Sequence, residues 1–269
     1  MRQLDVLRVI CDAYKASESA MSAYGSLCTE FYDLDKPSAP ADALAFYVAR
    51  ARKAGGRVLE PMCGSGRFLL PMSLAGLPID GVDSSAAMLA ACRAHARRLG
   101  SDVSVFLQEL ASLELPHRYS LAFIPSGSIG LVTDDEELHK VLSRIYAHLE
   151  PGGTLLMELD CDDGQPVNPA ELKPRAVLCP DGSSITYTCI ASRSTTPDTI
   201  RYSGRYSRRK GAHTVETEDE ELVLRLYDSQ RITAELAACG FKATTVSGAS
   251  DLAFLAESGC TLVEAHTDA

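Results

Sequence analysis

Several features that mark broad classes of protein are missing from this sequence. It has no apolar run long enough to cross a bilayer. Its first residues, Met1-Arg-Gln-Leu-Asp, carry an acid early and no continuous apolar stretch, so we expect no secretory signal. The nine cysteines include no C-x-x-C pair, which argues against a disulfide framework and against a zinc site. We therefore expect no bound metal, no membrane partner and a reduced, cytoplasmic setting.

Basic residues are also in the minority. The chain has 26 Lys and Arg against 36 Asp and Glu, which gives a formal net charge of −10. Because such a chain repels a phosphate backbone at long range, we expect no nucleic-acid partner. The one basic cluster runs from Arg201 to Lys210. It is either a solvated strand and turn or a local patch that attracts an anionic substrate.

Strand-like and helical patterns alternate along residues 57 to 160. The 269 residues are 46% hydrophobic, enough for one domain with a sizeable core. Thr133, with Glu136 three residues later, predicts a capping box at the start of the last helix. The alternation predicts βαβ units in a mostly parallel, doubly wound sheet. The predicted strands are 57–60, 79–82, 103–107, 121–124 and 154–159, and the predicted helices are 41–53, 67–75, 86–99 and 134–149.

The alternation of strands and helices does not continue on either side of residues 57–160. Apolar positions at helical spacing within residues 3–24 predict a helix or two, so residues 1–50 are expected to form an N-terminal helical cap. Residues 161–227 alternate with a period of two between short turns, which predicts an inserted antiparallel layer that covers the substrate. A helix at 229–239 and strands at 242–246 and 261–265 then return to the main sheet.

These patterns together predict an α/β fold in a single domain over residues 1–269. Its doubly wound, mostly parallel sheet has seven strands with helices on both faces, and the antiparallel β layer is inserted into it.

A glycine-rich turn between the first predicted strand and the next helix carries the strongest chemical signal. The strand ends in Glu60, and the chain then passes through Gly64 and Gly66 before a helix opens at about Arg67. Glycines allow a backbone to approach a ligand where a Cβ would clash. The acid can accept hydrogen bonds from a ligand ammonium. Such a turn alone is weak evidence, since many nucleotide-binding folds have one.

Two further positions narrow the interpretation. Asp83 follows Gly66 by 17 positions, at the end of the second predicted strand, where a carboxylate can bind both ribose hydroxyls. Gln108-Glu109-Leu110 follows the third strand, where an acid or a backbone N–H can meet an adenine edge. A dinucleotide-binding oxidoreductase is the main competitor, but its fingerprint needs a third glycine where this chain has Leu69.

These segments resemble the motifs of class I, Rossmann-like methyltransferases of the small-molecule type. The turn resembles their E/D-x-G-x-G-x-G loop, although Met62 stands where the first glycine is usual. His148 to Leu155 resembles the L-x-P-G-G-x-L turn before their fifth strand. Arg225-Leu-Tyr227, followed by Glu235-Leu236 and Ala238-Cys-Gly-Phe241, resembles a late R-x-Y…E-L…A-G-F segment. The resemblance covers most of residues 24 to 265.

The resemblance implies that S-adenosyl-L-methionine is the cofactor and S-adenosyl-L-homocysteine the product. It also implies that tyrosines of an N-terminal helix fold over the cofactor. Each of these tyrosines could equally be ordinary aromatic packing. The implied cofactor-binding residues are Tyr24, Tyr32, Glu60, Met62, Gly64, Gly66, Arg67, Asp83, Ser84, Met88, Gln108, Glu109, Leu110, Pro125 and Ser126.

The acceptor side has weaker signals. Tyr202, Tyr206 and Arg225 lie on the predicted inserted strands, and His213 lies between two of them. These four are the candidate catalytic, acceptor-facing residues, although solvent exposure or packing is the favoured explanation for any one of them. His213 is the candidate general base, but no residue of the sequence must serve as one.

The predicted function is methyl transfer from S-adenosylmethionine to N or O of a small-molecule acceptor. Methylation of a protein side chain, or cofactor binding without catalysis, are the alternatives, and a dinucleotide-dependent oxidoreductase ranks below both. The predicted partners are the small-molecule acceptor and, as an open question, a second copy in a homodimer.

Overall fold

A central sheet of seven strands and a separate antiparallel sheet organise the chain. The computed structural model describes residues 24–160, 170–196, 198–248, 251–258 and 260–269. The helices predicted within residues 3–24 therefore lie almost wholly outside the described residues, as does the start of the predicted insertion. The strands are β1 (Val58–Pro61), β2 (Ile79–Asp83), β3 (Ser104–Leu107), β4 (Tyr119–Ile124), β5 (Leu149–Asp160), β6 (Ala170–Glu171), β7 (Arg175–Leu178), β8 (Ser184–Arg193), β9 (Thr199–Lys210), β10 (His213–Arg225), β11 (Lys242–Ser247) and β12 (Cys260–His266).

The central sheet has the order β3-β2-β1-β4-β5-β12-β11. The first five strands of this order pair in parallel, and β12 runs antiparallel to both of its neighbours. The order reverses direction at β1, which is where a doubly wound sheet opens a crevice at its strand ends. The prediction of a mostly parallel, doubly wound seven-stranded sheet is confirmed.

Helices cover both faces of this sheet, because alternate strand residues point to opposite sides and nearly all of them are apolar. In β4, Ala122 and Ile124 belong to one core cluster, while Leu121 and Phe123 belong to the other. The helices are α1 (Ser26–Asp35), α2 (Ala41–Ala54), α3 (Leu69–Leu74), α4 (Ala86–Leu99), α5 (Asp135–His148), α6 (Ser229–Ala238) and α7 (Ala253–Ser258). Helices α5 and α6 pack in the first cluster, and α2, α3, α4 and α7 pack in the second.

The second sheet confirms the predicted antiparallel layer. Its order is β10-β9-β8-β6, with β7 also paired to β8, and all of its pairs are antiparallel. Helix α1 packs on this sheet through Leu27 and Phe31, which contact a cluster that contains Ile185 and Tyr206. Helix α1 therefore connects the antiparallel sheet with the central domain.

Three local features differ from the sequence prediction. Helix α5 begins one residue later than a Thr133 cap requires, because the Asp134 carboxylate accepts the Glu137 N–H at 2.9 Å and is itself the N-cap. Helices α1 and α7 and strands β6 and β7 were not predicted. These elements are short, and β7 is largely exposed, so it lacks the apolar alternation by which a strand is recognised.

None of the helices in the described ranges has both the length and the apolar character that a bilayer crossing requires.

Candidate functional site

A cavity of about 470 Å³ opens at the carboxyl ends of β1, β2 and β4. The order of the sheet places the ligand crevice of a doubly wound fold at this edge. The tight turn after β1, the end of β2 and the loop after β3 form its lower wall, and the loop after β4 closes one side. All of the predicted cofactor-binding residues except Gly66 line this cavity. Tyr24 and Gln108, which are 84 positions apart in sequence, thereby line one cavity.

The turn after β1 uses left-handed backbone at three positions. Met62, Gly64 and Gly66 have φ of +58°, +54° and +89°. Met62 therefore adopts the conformation that a glycine would take more readily. A Cβ on Gly66 would lie 2.8 Å from the Cys92 Sγ and 2.9 Å from the Leu70 Cγ. The structure thus gives a reason for Gly66 that the sequence did not: the turn must fit against α3 and α4.

Asp83 is held rigidly at the end of β2. Its Oδ2 accepts the Gly64 N–H at 2.8 Å, and its Oδ1 accepts the Ser85 N–H at 2.8 Å. Burial raises the pKa of the Asp83 carboxyl, while these backbone hydrogen bonds lower it. A carboxylate oxygen has more than one lone pair, so Asp83 can still accept two hydroxyl donors from the cavity.

Glu60 is a buried acid with an unsatisfied oxygen. Only 2% of its surface is exposed, and its Oε2 has no hydrogen-bond partner among the described residues. Burial raises the pKa of Glu60 well above its usual value, and a Leu69 backbone hydrogen bond and the charge of Arg67 oppose that shift. Buried polar atoms are almost always paired in native proteins. Glu60 is therefore suited to a ligand that brings a donor, such as an ammonium group.

Arg67 brings the only positive charge among the residues that line the cavity. Its guanidinium lies 5.8 Å from the Tyr32 ring centroid and 5.5 Å from that of Phe68, distances at which a cation is attracted to a ring. Its Nη2 donates to the Ser126 Oγ at 3.2 Å, while its buried Nε has no partner in the described part of the chain. Arg67 can therefore bind a ligand carboxylate.

The loop after β4 is fixed from below by an acid that sequence reasoning missed. Glu158, near the end of β5, accepts the Ser126 N–H at 2.9 Å and the Tyr47 hydroxyl at 2.6 Å. Ser126 has a left-handed backbone with φ of +60°. Burial raises the pKa of Glu158, and these two donors lower it. The sequence signal that could have identified Glu158 is an acid inside an otherwise apolar strand, because a buried carboxylate needs hydrogen-bond partners.

The remaining lining residues missed by sequence reasoning belong to two groups. Cys63, Phe68 and Ser85 are direct neighbours of predicted residues and belong to the same motifs. The others lie in or directly after the 3₁₀ turn that follows β4 and in α5, and they are brought to the cavity only by folding. They are Leu131, Val132, Glu137 and Val141. Ser128 also lines the cavity, and its place after the fourth predicted strand, at the mouth of an open sheet, marks it in the sequence.

The four predicted catalytic residues do not line this cavity. The Tyr206 ring lies 4.5 Å from that of Tyr187, and its hydroxyl donates to Glu220 at 3.0 Å. Arg225 is buried and ion-paired with Asp135. His213 is exposed at the start of β10, next to the hairpin turn. These surroundings favour packing roles for Tyr206 and Arg225.

Tyr202 has a different environment. Burial, and then the nearby charge of Asp160 at the end of β5, raise the pKa of the half-buried Tyr202 hydroxyl. The Asp160 carboxylate in turn lies against the loop after β4, where a Cβ on Gly127 would be 2.5 Å from its Oδ2. Arg225 also lies against the segment after β4, since a Cβ on Gly130 would be 2.9 Å from its carbonyl oxygen. Tyr202 and Arg225 are therefore the two of the four with a described connection to the carboxyl ends of the central strands.

Tyr206→Phe is expected to lower the free energy of unfolding. The change leaves the buried Glu220 Oε2 without its hydroxyl donor, which costs about 1–3 kcal/mol. Urea denaturation measures the effect. Tyr202→Phe, four residues earlier on the same face of β9, is the matched control and should change the free energy of unfolding by less than about 1 kcal/mol. Equal stability of the two variants would contradict the packing role of Tyr206.

One group of metal-type ligands occurs in the described ranges, away from the cavity. His139, Glu235 and Cys239 lie on the surface between α5 and α6. The His139 Nδ1 is 2.6 Å from the Glu235 Oε1, so these two groups already satisfy each other.

Comparisons with known proteins agree with this geometry. Residues 58–153 match the family described as "Methyltransferase domain". The chain is 29% identical over 177 residues to the cypemycin N-terminal methyltransferase of a Streptomyces species, over 64% of this chain and 71% of that protein. It is 29% identical over 150 residues to dTDP-3-amino-3,6-dideoxy-alpha-D-glucopyranose N,N-dimethyltransferase of Streptomyces fradiae, over 53% of this chain and 57% of that protein.

The matches to the first three curated relatives span 54%, 71% and 57% of their lengths. Among solved structures, the sugar N-methyltransferase KedS8 from Streptoalloteichus superposes with a TM-score of 0.73 at 20% identity, over 94% of this chain and 99% of that one. The match over residues 58–153 shows a methyltransferase domain in that part of the chain, and the superposition shows that the chain has the fold of the solved methyltransferase.

Proposed function

We propose that the protein transfers a methyl group from S-adenosylmethionine to an amine nitrogen of a small molecule. The observation that carries the proposal is the unpaired Glu60 Oε2, buried in the wall of a cavity that also presents the Asp83 carboxylate and the Arg67 guanidinium. A ligand that carries an ammonium, a carboxylate and a ribose would satisfy all three groups. An amino-acid group linked to a nucleoside, as in S-adenosylmethionine, has this set of groups.

Each part of the cofactor has candidate residues. Asp83 would bind the ribose hydroxyls, Glu60 the ammonium and Arg67 the carboxylate, while the loop at 108–110 would meet the adenine. When bound, the cofactor supplies an electrophilic methyl group on a sulfonium sulfur. Tyr24 and Tyr32 would exclude water from the reacting atoms, because both line the cavity.

The charge of the cavity supports a cationic acceptor. Besides Glu60, whose raised pKa favours its protonated form in the free protein, the lining includes the carboxyl groups of Asp83, Glu109 and Glu137 against the single guanidinium of Arg67. An excess of acids raises the local concentration of ammonium compounds. The relative from Streptomyces fradiae is an N,N-dimethyltransferase according to its name. An amine must lose its proton before it attacks, and the protein's task is then to orient the neutral nitrogen.

We further propose that the antiparallel sheet covers the acceptor. Tyr202, through its neighbour Asp160, is the residue of this sheet that we place nearest to the acceptor. A cover at the carboxyl ends of the strands would select small acceptors over protein side chains and would keep water out.

Product formation tests the proposal. The purified protein is incubated with S-adenosylmethionine and a panel of small primary and secondary amines, matched hydroxyl compounds and a peptide. We expect acceptor-dependent S-adenosylhomocysteine with at least one amine. Turnover with hydroxyl compounds alone would replace nitrogen by oxygen as the acceptor, and turnover with the peptide alone would favour a protein substrate. Tight cofactor binding without turnover on any acceptor would favour a binding protein.

Cofactor binding should release a proton from Glu60. Burial raises the pKa of this carboxyl in the free protein, and a bound ammonium would lower it, so the complex holds fewer protons than the free site. Affinity for S-adenosylhomocysteine should therefore rise with pH through the pKa of Glu60. Calorimetry in buffers of different ionisation enthalpy measures the released protons. Glu60→Gln should remove the Glu60 contribution, and an unchanged proton release in this variant would contradict the assignment.

A further inference from the structure

Two acids on β10 hold the segment that carries Tyr24. Glu218 accepts the backbone N–H groups of Leu27 and Cys28, one on each carboxylate oxygen, both at 2.9 Å. These N–H groups belong to the first turn of α1, where a helix has donors without internal partners. Gly25, the N-cap residue, has no side chain that could cap these N–H groups, so Glu218 of the antiparallel sheet caps them instead. The positive end of the helix dipole also favours a carboxylate at this place.

Glu220, two residues further along β10, lies on the same face of the strand and continues this arrangement. Its Oε1 accepts the Tyr24 N–H at 3.1 Å, and its Oε2 accepts the Tyr206 hydroxyl at 3.0 Å. Only 4% of Glu220 is exposed. A buried carboxylate is tolerated when donors satisfy it, and one of the donors to Glu220 is the backbone N–H of Tyr24.

The other side of Tyr24 is tied to the cofactor site. The Ser85 hydroxyl donates to the Tyr24 carbonyl oxygen at 2.9 Å, and the Ser85 N–H donates to Asp83. Tyr24 has a left-handed backbone with φ of +60°, a conformation that an ordinary residue adopts only where its surroundings impose it. Its side chain lines the cavity, and burial raises the pKa of its hydroxyl. A continuous set of hydrogen bonds therefore runs from β10 through Tyr24 to Asp83.

We propose that Glu218 and Glu220 are positioning residues that latch Tyr24 and α1 over the cofactor cavity and so couple cofactor binding to the antiparallel sheet. The proposal rests on the cofactor site proposed above. Ligand contact with Tyr24 and Asp83 would tighten the hydrogen bonds to β10, and loss of those bonds would loosen the ligand. Neither acid lines the cavity, so each acts through Tyr24 and α1.

Calorimetry with S-adenosylhomocysteine and hydrogen exchange test the latch in the full chain. Glu220→Gln and Glu218→Gln each place an amide NH₂ where an acceptor is needed, and each should raise the dissociation constant about tenfold. Asp219→Asn is the matched control, because Asp219 lies between them and pairs with Arg205. It makes the same change of charge and should alter the dissociation constant by less than about twofold.

Hydrogen exchange gives the readout that a merely structural role would not move. In the wild type, the ligand should slow amide exchange both in residues 24–35 and in β10. In Glu220→Gln, the ligand should no longer slow exchange in β10. If the ligand leaves the rate of amide exchange in β10 of the wild type unchanged, the coupling is overturned. A wild-type dissociation constant in both glutamine variants would also overturn it. A wild type that does not bind S-adenosylhomocysteine would overturn the proposed cofactor site together with the latch.

A variant at Gly25 disrupts the contact between the Glu218 carboxylate and the start of α1 without changing any charge. A Cβ on Gly25 would lie 2.6 Å from the Glu218 carboxylate, whereas its φ of −71° suits any residue. Gly25→Ala should therefore displace the carboxylate and raise the dissociation constant by a similar factor, even if a glutamine variant fails to fold. In Gly25→Ala/Glu218→Gln, the two effects should be less than additive, since both break one contact. Full additivity would overturn the assignment of Glu218 to the latch.

Discussion

Asp83→Ala should weaken the binding of S-adenosylhomocysteine by at least tenfold, and by about a hundredfold if both ribose hydroxyls are bound, since each charge-assisted hydrogen bond contributes about 1.5–3 kcal/mol. The alanine also removes the acceptor for the Gly64 and Ser85 N–H groups, so the hydrogen bonds that hold the turn after β1 and the start of α4 are lost. Calorimetry on the purified variant measures the dissociation constant, and circular dichroism reports whether the fold is kept.

Asp102→Asn provides the control for Asp83. Asp102 is exposed, in the connection between α4 and β3, and does not line the cavity. Its amide variant should bind the ligand like the wild type. A folded Asp83→Ala protein with unchanged affinity would remove Asp83 from the site and, with it, the ribose assignment.

Gly66→Val should lower the free energy of unfolding by about 2–6 kcal/mol, with the loss of ligand binding as a consequence. Left-handed backbone at a β-branched residue costs about 1–3 kcal/mol. Overpacking adds about 1–3 kcal/mol, because the new side chain would meet Cys92 and Leu70. Urea denaturation gives the free energy, and the expected sign is destabilisation even without ligand.

Gly76→Val separates the two terms. Gly76 also has a left-handed backbone, with φ of +80°, but a Cβ there would meet no atom within 4 Å. This variant should carry the backbone cost alone and remain about 1–3 kcal/mol more stable than Gly66→Val. If both valines cost the same, the close packing of the turn against α3 and α4 would not explain Gly66. A Gly66→Val protein of wild-type stability that cannot bind ligand would instead return Gly66 to a role in ligand approach.

The motif residues of the cofactor site were predictable because they are local in sequence. The acid of β1, the glycines after it and the acid at the end of β2 each occupy a fixed place relative to a strand end, and parallel strands bring their carboxyl ends to one edge. The predicted residues accordingly line one cavity, apart from Gly66. The acceptor side was less predictable. A period-two pattern places Tyr202 and Tyr206 on one face of β9 but does not say what covers that face.

The sequence by itself determined the alternation of strands and helices, the sheet class and the loops that carry the cofactor motifs. Hydrophobic periodicity and glycine placement are properties of short segments, so they can be recognised without knowledge of distant contacts. Only the tertiary structure decided which distant groups satisfy one another: Glu158 with Ser126, Arg225 with Asp135, and Glu218 with the start of α1. A buried charge needs hydrogen-bond partners, but the residues next to it in sequence do not indicate which groups these are. The packing of whole helices and strands decides which groups come within reach.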